Sequence, residues 1–176
     1  MNEPTGLDAG RRQFVQTFAQ TWADAGQSMM DGRVLGFLLV MDEDYISSAD
    51  LGKALSASPG SISVSTRRML DTALIRRHWI PGDRNHYFAA QPDPWGSFLA
   101  YGFEPTSRIR AAIRSAEDLL PDLGRASLER VENSLDYFDW LESRKVTLVA
   151  EWEEYKKSRE VKGVARPAGE DNQRFG

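Results

Sequence analysis

Hydroxyl and guanidinium side chains are concentrated in one stretch of the chain, S-A-S-P-G-S-I-S-V-S-T-R-R-M-L at residues 56–70. Serine hydroxyls donate and accept hydrogen bonds, and an arginine can bind a phosphate, or O6 and N7 of guanine, with two hydrogen bonds at once. A second arginine-rich stretch, I-R-R-H-W-I-P-G-D-R-N-H-Y-F at residues 75–88, follows closely. These groups favour the binding of a polyanion, because arginines clustered in one short region are typical of phosphate binding.

The first stretch is predicted to form a helix with two different faces. Ser58 and Pro59 are typical of an N-cap and a first helical residue, so the helix should run from Pro59 to Asp71 or Thr72. At about 100° per residue, the residues expected to face the core share one side, namely Ile62, Thr66, Met69 and Ala73. The outward face and its flanks carry the candidate binding residues, namely Gly60, Ser61, Ser63, Val64, Arg67 and Arg68.

This outward face is suited to the major groove of DNA. Small side chains near the helix start allow a close approach to base edges, where Val64 can contact a thymine methyl group. Arg67 and Arg68 can reach phosphates or guanine. The free N–H groups that follow Ser58 suit a phosphate. The outward face therefore predicts that this helix reads base edges while its arginines hold the DNA.

The alternative is an ordinary serine-rich surface helix of a small helical domain. Serine is a mediocre helix former, so a run of hydroxyl residues weakens a helix unless those groups act outside it. Four such residues occur within six positions, namely Ser61, Ser63, Ser65 and Thr66. This density favours the functional interpretation.

The second stretch is predicted to form a β-hairpin. Leu74 and Ile75 begin one strand, P-G-D-R is the turn, and residues 85–90 return as the partner strand. With Gly82 and Asp83 at the turn centre, His78 pairs with Tyr87. The two histidines, His78 and His86, then lie on opposite faces of the hairpin, so we expect no metal site. Arg84 at the tip suits insertion into a minor groove; the alternative is a solvated turn residue held by Asp83.

Apolar spacing and capping residues predict the remaining helices, at residues 8–25, 28–41, 47–55, 93–120 and 125–159. Asp8 is the expected N-cap of the first. Ser47 and Asp50 form a capping box that opens the short third helix. Pro105 should kink or break the helix predicted over 93–120.

Composition restricts the possible functions. The 176 residues include no cysteine, which excludes disulfides, thiolate-bound zinc and thiol catalysis and favours a reducing, cytoplasmic location. No signal peptide and no membrane span are apparent, and no enzyme or cofactor motif was found. The net charge is −4, but residues 56–90 carry five arginines against two aspartates, whereas residues 103–160 carry thirteen acidic against ten basic residues. A local basic surface on an acidic chain favours a phosphate binder with a solvated support domain.

Four strings carry a resemblance to a known family, namely G-R-V-L-G-F-L-L-V, S-S-A-D-L-G-K-A-L, S-P-G-S-I-S-V-S-T-R-R-M-L and I-P-G-D-R-N-H-Y-F. Over residues 10–91 the chain resembles the MarR superfamily of winged-helix regulators, and in particular its GbsR-like branch. The resemblance implies a homodimeric, sequence-specific transcription factor. By position, it assigns DNA contacts to Ser58, Ser61, Ser63, Val64, Arg67, Arg68 and Arg84. Wings of the superfamily often separate an aspartate and an arginine by one residue, whereas Asp83 and Arg84 are adjacent here.

Aromatic residues line the helices outside the winged region. A two-fold dimer would bury these stripes and hold two recognition helices about 34 Å apart; the alternative is that they bury each other within one chain. Relatives in the GbsR-like branch are associated with choline-type ligands, and an aromatic cage can hold such a cation. The candidate effector residues for a quaternary amine are Trp22, Trp95, Tyr101 and Trp140. The alternative is that these aromatics are simply core.

The sequence thus predicts a mainly α fold with a small β-hairpin wing, a winged helix-turn-helix with flanking dimerisation helices. The expected organisation is a disordered N-terminus (1–7), an N-terminal dimerisation helix (8–27), a winged DNA-binding domain (28–91), a C-terminal helical dimerisation region (92–160) and a disordered tail (161–176). The predicted function is a ligand-responsive repressor that binds a palindromic double-stranded operator as a homodimer, with no enzyme activity and no cofactor. The alternative is a winged-helix protein-interaction module that never reads DNA.

Overall fold

The computed structural model describes residues 7–101, 104–120 and 122–161. The predicted disordered ends lie outside these residues except at their inner limits: Leu7 packs against the core, and Val161 is the last residue of the final helix. No helix in the described ranges is long and apolar enough to cross a membrane.

The described residues form helices with one small sheet, as the sequence predicted. In chain order the elements are α1 (Ala9–Asp24), α2 (Met29–Val40), β1 (Ile46–Ser47), α3 (Ser48–Ala54), α4 (Pro59–Asp71), β2 (Ile75–His78), β3 (Tyr87–Ala90), α5 (Pro94–Tyr101), α6 (Glu104–Leu119) and α7 (Arg125–Val161). The predicted helix over 93–120 is two helices, because α6 starts at Glu104 and has Pro105 in its first turn. A proline is tolerated there, since the first N–H groups of a helix have no intrahelical partner.

Capping by side chains begins three of the helices where the sequence indicated. The Asp8 carboxylate accepts the Arg11 N–H at 2.8 Å at the start of α1. The Ser47 hydroxyl accepts the Asp50 N–H at 3.0 Å at the start of α3 and donates to the Asp50 carboxylate at 2.7 Å. The bonds from Arg11 and Asp50 each satisfy an N–H group that a helix start leaves free, which fixes where the chain enters the helix.

The core forms where α1 and α4 pack on α2. The apolar residues of α2 that are almost fully buried are Val34, Leu35, Phe37 and Leu38. Two glycines allow the close approach of α1. A Cβ on Gly32 would lie 2.8 Å from the Cα of Ala19, and one on Gly36 would lie 3.2 Å from the Phe18 ring. This packing fixes α2 as the support on which α4 rests.

The sheet has three antiparallel strands in the order β1-β3-β2. The predicted hairpin is confirmed, including the pairing of His78 with Tyr87. The strand β1 was missed, because residues 41–47 read as a polar break; Ile46 pairs with Phe88. Two paired residues give no alternation that a sequence could show. The strand β1 ties the start of α3 to the wing, and the Ser48 N–H also donates to the His86 carbonyl at 2.8 Å.

The C-terminal helices are joined to the winged region at Asp93, three residues after β3. Its carboxylate accepts hydrogen bonds from the Gly96 N–H at 2.9 Å, from Trp152 Nε1 at 2.7 Å and from Lys156 Nζ at 2.8 Å. The aspartate therefore caps the start of α5 and also holds the end of α7. Burial raises the pKa of Asp93, but hydrogen bonds from Lys156, Trp152 and Gly96 outweigh it, so the pKa lies below its usual value.

Candidate nucleic-acid interface

The helix α4 begins as predicted. The Ser58 hydroxyl accepts the Ser61 N–H at 3.2 Å and lies 2.9 Å from the Ser61 hydroxyl, and Pro59 occupies the first helical position. The two hydroxyls therefore serve the helix start in this structure. The first turn of α4 is exposed, and its Gly60 N–H is left without a partner among the described hydrogen bonds, because Pro59 has no N–H and those of Ser61 and Ile62 are bonded to Ser58.

The two predicted faces of α4 are confirmed except at Ala73, which lies beyond the end of the helix with φ +56° and is only half-buried. Ile62, Thr66 and Met69 are buried against the core. On the other side Val64 is 50% exposed, and Ser61, Ser63 and Arg67 are exposed. The helix thus presents small hydroxyl side chains, one apolar group and one arginine along an open face, which is the set of groups that direct readout of DNA uses.

Ser65 and Thr66 do not match the expectation that the hydroxyl residues act outside the helix. Ser65 is completely buried, and its hydroxyl has no hydrogen-bond partner among the described atoms. Thr66 is also buried and donates to the Ile62 carbonyl at 2.8 Å. The hydroxyls of this stretch therefore lie in two environments. Those of Ser61 and Ser63 face outward, whereas the buried Ser65 hydroxyl lowers stability because it lacks a partner.

The Arg68 side chain is not free to bind DNA, although helical spacing placed it on the outward face of α4. Its Nε and terminal nitrogen each donate to the Asp31 carboxylate of α2 at 2.7 Å, a two-pronged ion pair. The Asp31 side chain is 6% exposed, whereas that of Arg68 is 47% exposed. The bonds to Asp31 raise the pKa of Arg68. Arg68 therefore neutralises a buried charge and fixes α4 on α2, and this contact with another helix could not be seen in the local sequence.

Arg67 points instead toward the wing. A cleft of about 220 Å³ lies between α4 and the sheet. Its walls are Ser48, Ser63, Thr66, Arg67, Leu70, Arg77, His86 and Phe88. Arg77 is one of the five arginines of residues 56–90, but the sequence did not place it in the site. Arg77 lies opposite Phe88 in the β2–β3 ladder and therefore shares the sheet face that looks at α4. Side chains alternate between the two faces of a strand, so the correct hairpin register was the sequence signal that could have placed Arg77 on this face.

The tip of the wing differs in detail from the prediction. The Asp83 N–H donates to the Ile80 carbonyl at 3.1 Å and Gly82 has φ +83°, so the turn centre is Pro81–Gly82 rather than Gly82–Asp83. The Asp83 carboxylate accepts the Asn85 N–H and the Tyr87 hydroxyl, each at 2.8 Å. These bonds lower the pKa of Asp83 and raise that of Tyr87.

Arg84 is exposed, and within the described part of the chain it forms no ion pair with Asp83. The Asp83 carboxylate instead accepts the Arg84 backbone N–H, so the two interpretations of Arg84, a minor-groove residue and a solvated turn residue held by Asp83, both stay open. Arg84 borders an open groove of about 850 Å³ between the wing and the turn that precedes α4. Lys53 and His86 also line this groove. The wing tip thus continues the basic surface that Arg67 and Arg77 begin.

The histidines of the wing have separate surroundings. His78 stacks on Tyr45 with ring centres 3.9 Å apart, and Tyr45 meets the edge of Tyr87. His86 is exposed and lines the two clefts. Among the described residues, no group of three or more potential metal ligands comes together.

The four candidate effector residues do not form one group. Trp22 and Trp95 meet with ring centres 6.0 Å apart, at the end of a row that continues through Phe18 to Phe14. Trp140 contacts Tyr137 on α7 instead, and Tyr101 is 69% exposed at the end of α5. The Trp22 Nε1 is buried and has no hydrogen-bond partner among the described atoms. Phe14 is 42% and Trp95 is 49% exposed, so the row is only partly buried within the chain and both alternatives stay open.

A helix-turn-helix formed by α3 and α4, followed by the β2–β3 hairpin that carries arginines and pairs with β1, defines the winged helix-turn-helix class. The sequence is 32% identical over 123 residues, 70% of each chain, to the HTH-type transcriptional regulator MmpR5 of Mycobacterium tuberculosis (strain ATCC 25618 / H37Rv). The chain belongs to the MarR family of winged-helix, DNA-binding transcriptional regulators.

One solved structure shows the same fold. A crystal structure of a transcriptional regulator superposes with a TM-score of 0.74 at 23% identity, covering 82% of this chain and 99% of that one. AbsC, a MarR family transcriptional regulator from Streptomyces coelicolor, has 17% identity and a TM-score of 0.38 over 76% of this chain and 88% of its own. No protein-family model matches the sequence.

Proposed function

We propose that this regulator binds a palindromic double-stranded operator as a homodimer and acts as a repressor that a small molecule releases. The observation that carries the proposal is the exposed face of α4, where Ser61, Ser63, Val64 and Arg67 are open to solvent beside the arginines of the wing. This face is long enough to enter a major groove, and the core residues of the same helix hold it against α2. The finer assignment to the GbsR-like branch and a cytoplasmic location are part of the same proposal.

Within this interface we assign readout to Arg67 and support to Arg68. Arg67 has no ion-pair partner in the described ranges and borders the cleft that Arg77 shares. Two nitrogen atoms of Arg68 are hydrogen-bonded to Asp31, so its guanidinium is less able to reach a base edge. Ser58 contributes through the helix start that it caps, where the Gly60 N–H suits a phosphate. Arg84 at the wing tip is placed for a neighbouring phosphate or minor groove.

The test is a binding-site selection from random duplexes, followed by fluorescence anisotropy on the selected DNA over a range of salt. We expect a sequence-specific complex whose affinity falls steeply with salt, because arginine–phosphate contacts release counterions. The Arg67→Ala variant should lose about tenfold or more in affinity. The matched control is Arg108→Ala, which removes an exposed arginine of α6. Selection of no sequence, with weak binding at all salt concentrations, would favour the protein-interaction module instead.

A second part of the proposal concerns the effector. Trp22 and Trp95 lie where α1 meets the start of α5, and the buried, unpaired Nε1 of Trp22 is a donor that a ligand could satisfy. Their rings suit a quaternary amine. Titration of choline-type amines should change tryptophan fluorescence and weaken DNA binding, and Trp95→Ala should abolish both effects while Trp79→Ala retains the response. Equal DNA affinity with and without every amine tested would remove this part of the proposal.

A further inference from the structure

The longest helix, α7, has two different faces. One packs within the chain: Leu135 is 7% exposed, and Trp152 and Lys156 are bound to Asp93. At about 100° per residue, a second stripe lies on the other side of the helix. Its large apolar members are each 43–57% exposed, namely Tyr137, Trp140, Leu148 and Tyr155. Neighbouring rings of α7 contact one another, Tyr137 with Trp140 and Tyr155 with Trp152, but about half of each large apolar side chain of this outer stripe, residues 137–155, stays exposed.

Two charged residues lie on the outer stripe, seven positions apart. Arg144 and Glu151 are both exposed, and neither has an ion-pair partner in the described part of the chain. They are about 10.5 Å apart along the helix axis, too far to pair with each other. Charged residues on the inner side differ in this respect, because Lys145 pairs with Glu142 and Lys156 with Glu153 one turn away. The stripe thus carries one unpaired charge of each sign.

We propose that the outer stripe docks antiparallel on the same stripe of a second copy, about a two-fold axis between Thr147 and Leu148. A two-fold interface is self-complementary: if one residue contacts a second, the second of the partner contacts the first. Arg144 and Glu151 are equally distant from this axis, so each Arg144 faces Glu151 of the partner subunit. A parallel arrangement in register would instead place each charge against its like, which is unfavourable.

The same axis matches other groups on the stripe. Trp140 falls opposite Tyr155 of the partner subunit, which gives two aromatic contacts. The stripe from Tyr137 to Tyr155 is about 27 Å long, so each helix can contribute five turns to the contact. This inference rests on the proposed homodimer and adds to it the direction, the centre and the ion pairs of the helix contact.

Charge reversal tests the ion pairs. Arg144→Glu or Glu151→Arg alone places like charges together twice in each dimer, so we expect the dimer dissociation constant, measured by sedimentation velocity, to rise about tenfold or more. The double variant R144E/E151R should restore it to near the wild-type value. Lys157→Glu, a reversal on α7 outside the stripe, is the matched control and should leave dimerisation unchanged.

Disulfide crosslinking tests the position of the two-fold axis. The sequence has no cysteine, so each crosslink can form only at the introduced residue. Leu148→Cys should link two copies on mild oxidation, whereas Tyr137→Cys should not, because the two copies of residue 137 are about 31 Å apart. A dimer that crosslinks at both positions or at neither, or that ignores both charge reversals, overturns the inference and leaves the homodimer standing. A wild-type chain that stays monomeric at concentrations that saturate its DNA overturns the homodimer as well.

Discussion

Breaking the pair between Arg68 and Asp31 should destabilise the fold more than it weakens the contact with DNA. In the Arg68→Ala variant, Asp31 keeps its charge in a site that is 6% exposed and loses two hydrogen bonds of 2.7 Å. Leaving one partner of a buried pair unpaired costs about 3–5 kcal/mol. Arg68 itself is 47% exposed, so water can reach the vacated site. We therefore expect a loss of about 2–3 kcal/mol in the free energy of unfolding.

The assay is urea unfolding at one protein concentration, read by circular dichroism, for Arg68→Ala, Asp31→Ala and the double variant. The double variant should be more stable than the sum of the two single losses predicts, with a coupling of about 1–2 kcal/mol, because the second change removes the unpaired charge. The matched control is Arg125→Ala. Its partner Glu129 and Arg125 itself are 58% and 94% exposed, so this change should cost less than about 0.5 kcal/mol.

The same variants separate the two arginines of α4. Under conditions where Arg68→Ala is fully folded, its affinity for the selected DNA should fall less than that of Arg67→Ala. The opposite result would be an Arg68→Ala variant that is as stable as Arg125→Ala and yet loses DNA binding as strongly as Arg67→Ala. That result would assign base readout to Arg68 and make its contact with Asp31 incidental.

Three further changes test the packing around the site. Gly32→Ala should destabilise the fold by about 1–3 kcal/mol, because its Cβ would lie 2.8 Å from the Ala19 backbone. The measurement is thermal unfolding, and an unchanged melting temperature would show that α1 and α2 can move apart without cost. Ser65→Ala should raise the unfolding free energy by about 0.5–1 kcal/mol, since it removes a buried hydroxyl without a partner; a decrease in urea midpoint would show that this hydroxyl has an unseen acceptor. Asp93 has a lowered pKa, so its stabilisation is present above the unfolded value near 3.9 and is lost as pH falls through the folded value. Asp93→Asn should therefore lose stability at pH 7 and show a weaker pH dependence between about pH 5 and pH 2, whereas an unchanged acid profile would contradict the role of Lys156 and Trp152.

Local signals were enough to predict the start and the faces of α4. Ser58 and Pro59 act within one turn, and the burial of Ile62 and Met69 follows from helical spacing alone. The pairing of His78 with Tyr87 followed from the hairpin turn in the same way, although the turn itself is centred one residue earlier.

Contacts between distant residues account for what the sequence did not reveal. The partner of Arg68 is 37 positions earlier, on α2, so the residue spacing within α4 could not predict it. The strand β1 exists because Ile46 pairs with Phe88, 42 positions later. Arg77 became part of the site only once the sheet placed it beside α4. Local chemistry therefore predicted the reading helix, while tertiary contacts decided which of its arginines is free.

The outward face of α4 and the wing together form the proposed DNA-binding surface. The most direct measurement is an NMR titration of the backbone amides with a selected duplex. We expect the largest chemical-shift changes at residues 58–67 and 77–86, with smaller changes along α7. Large changes confined to α6 and α7, with the amides of Ser61, Ser63 and Arg67 unmoved, would contradict the account.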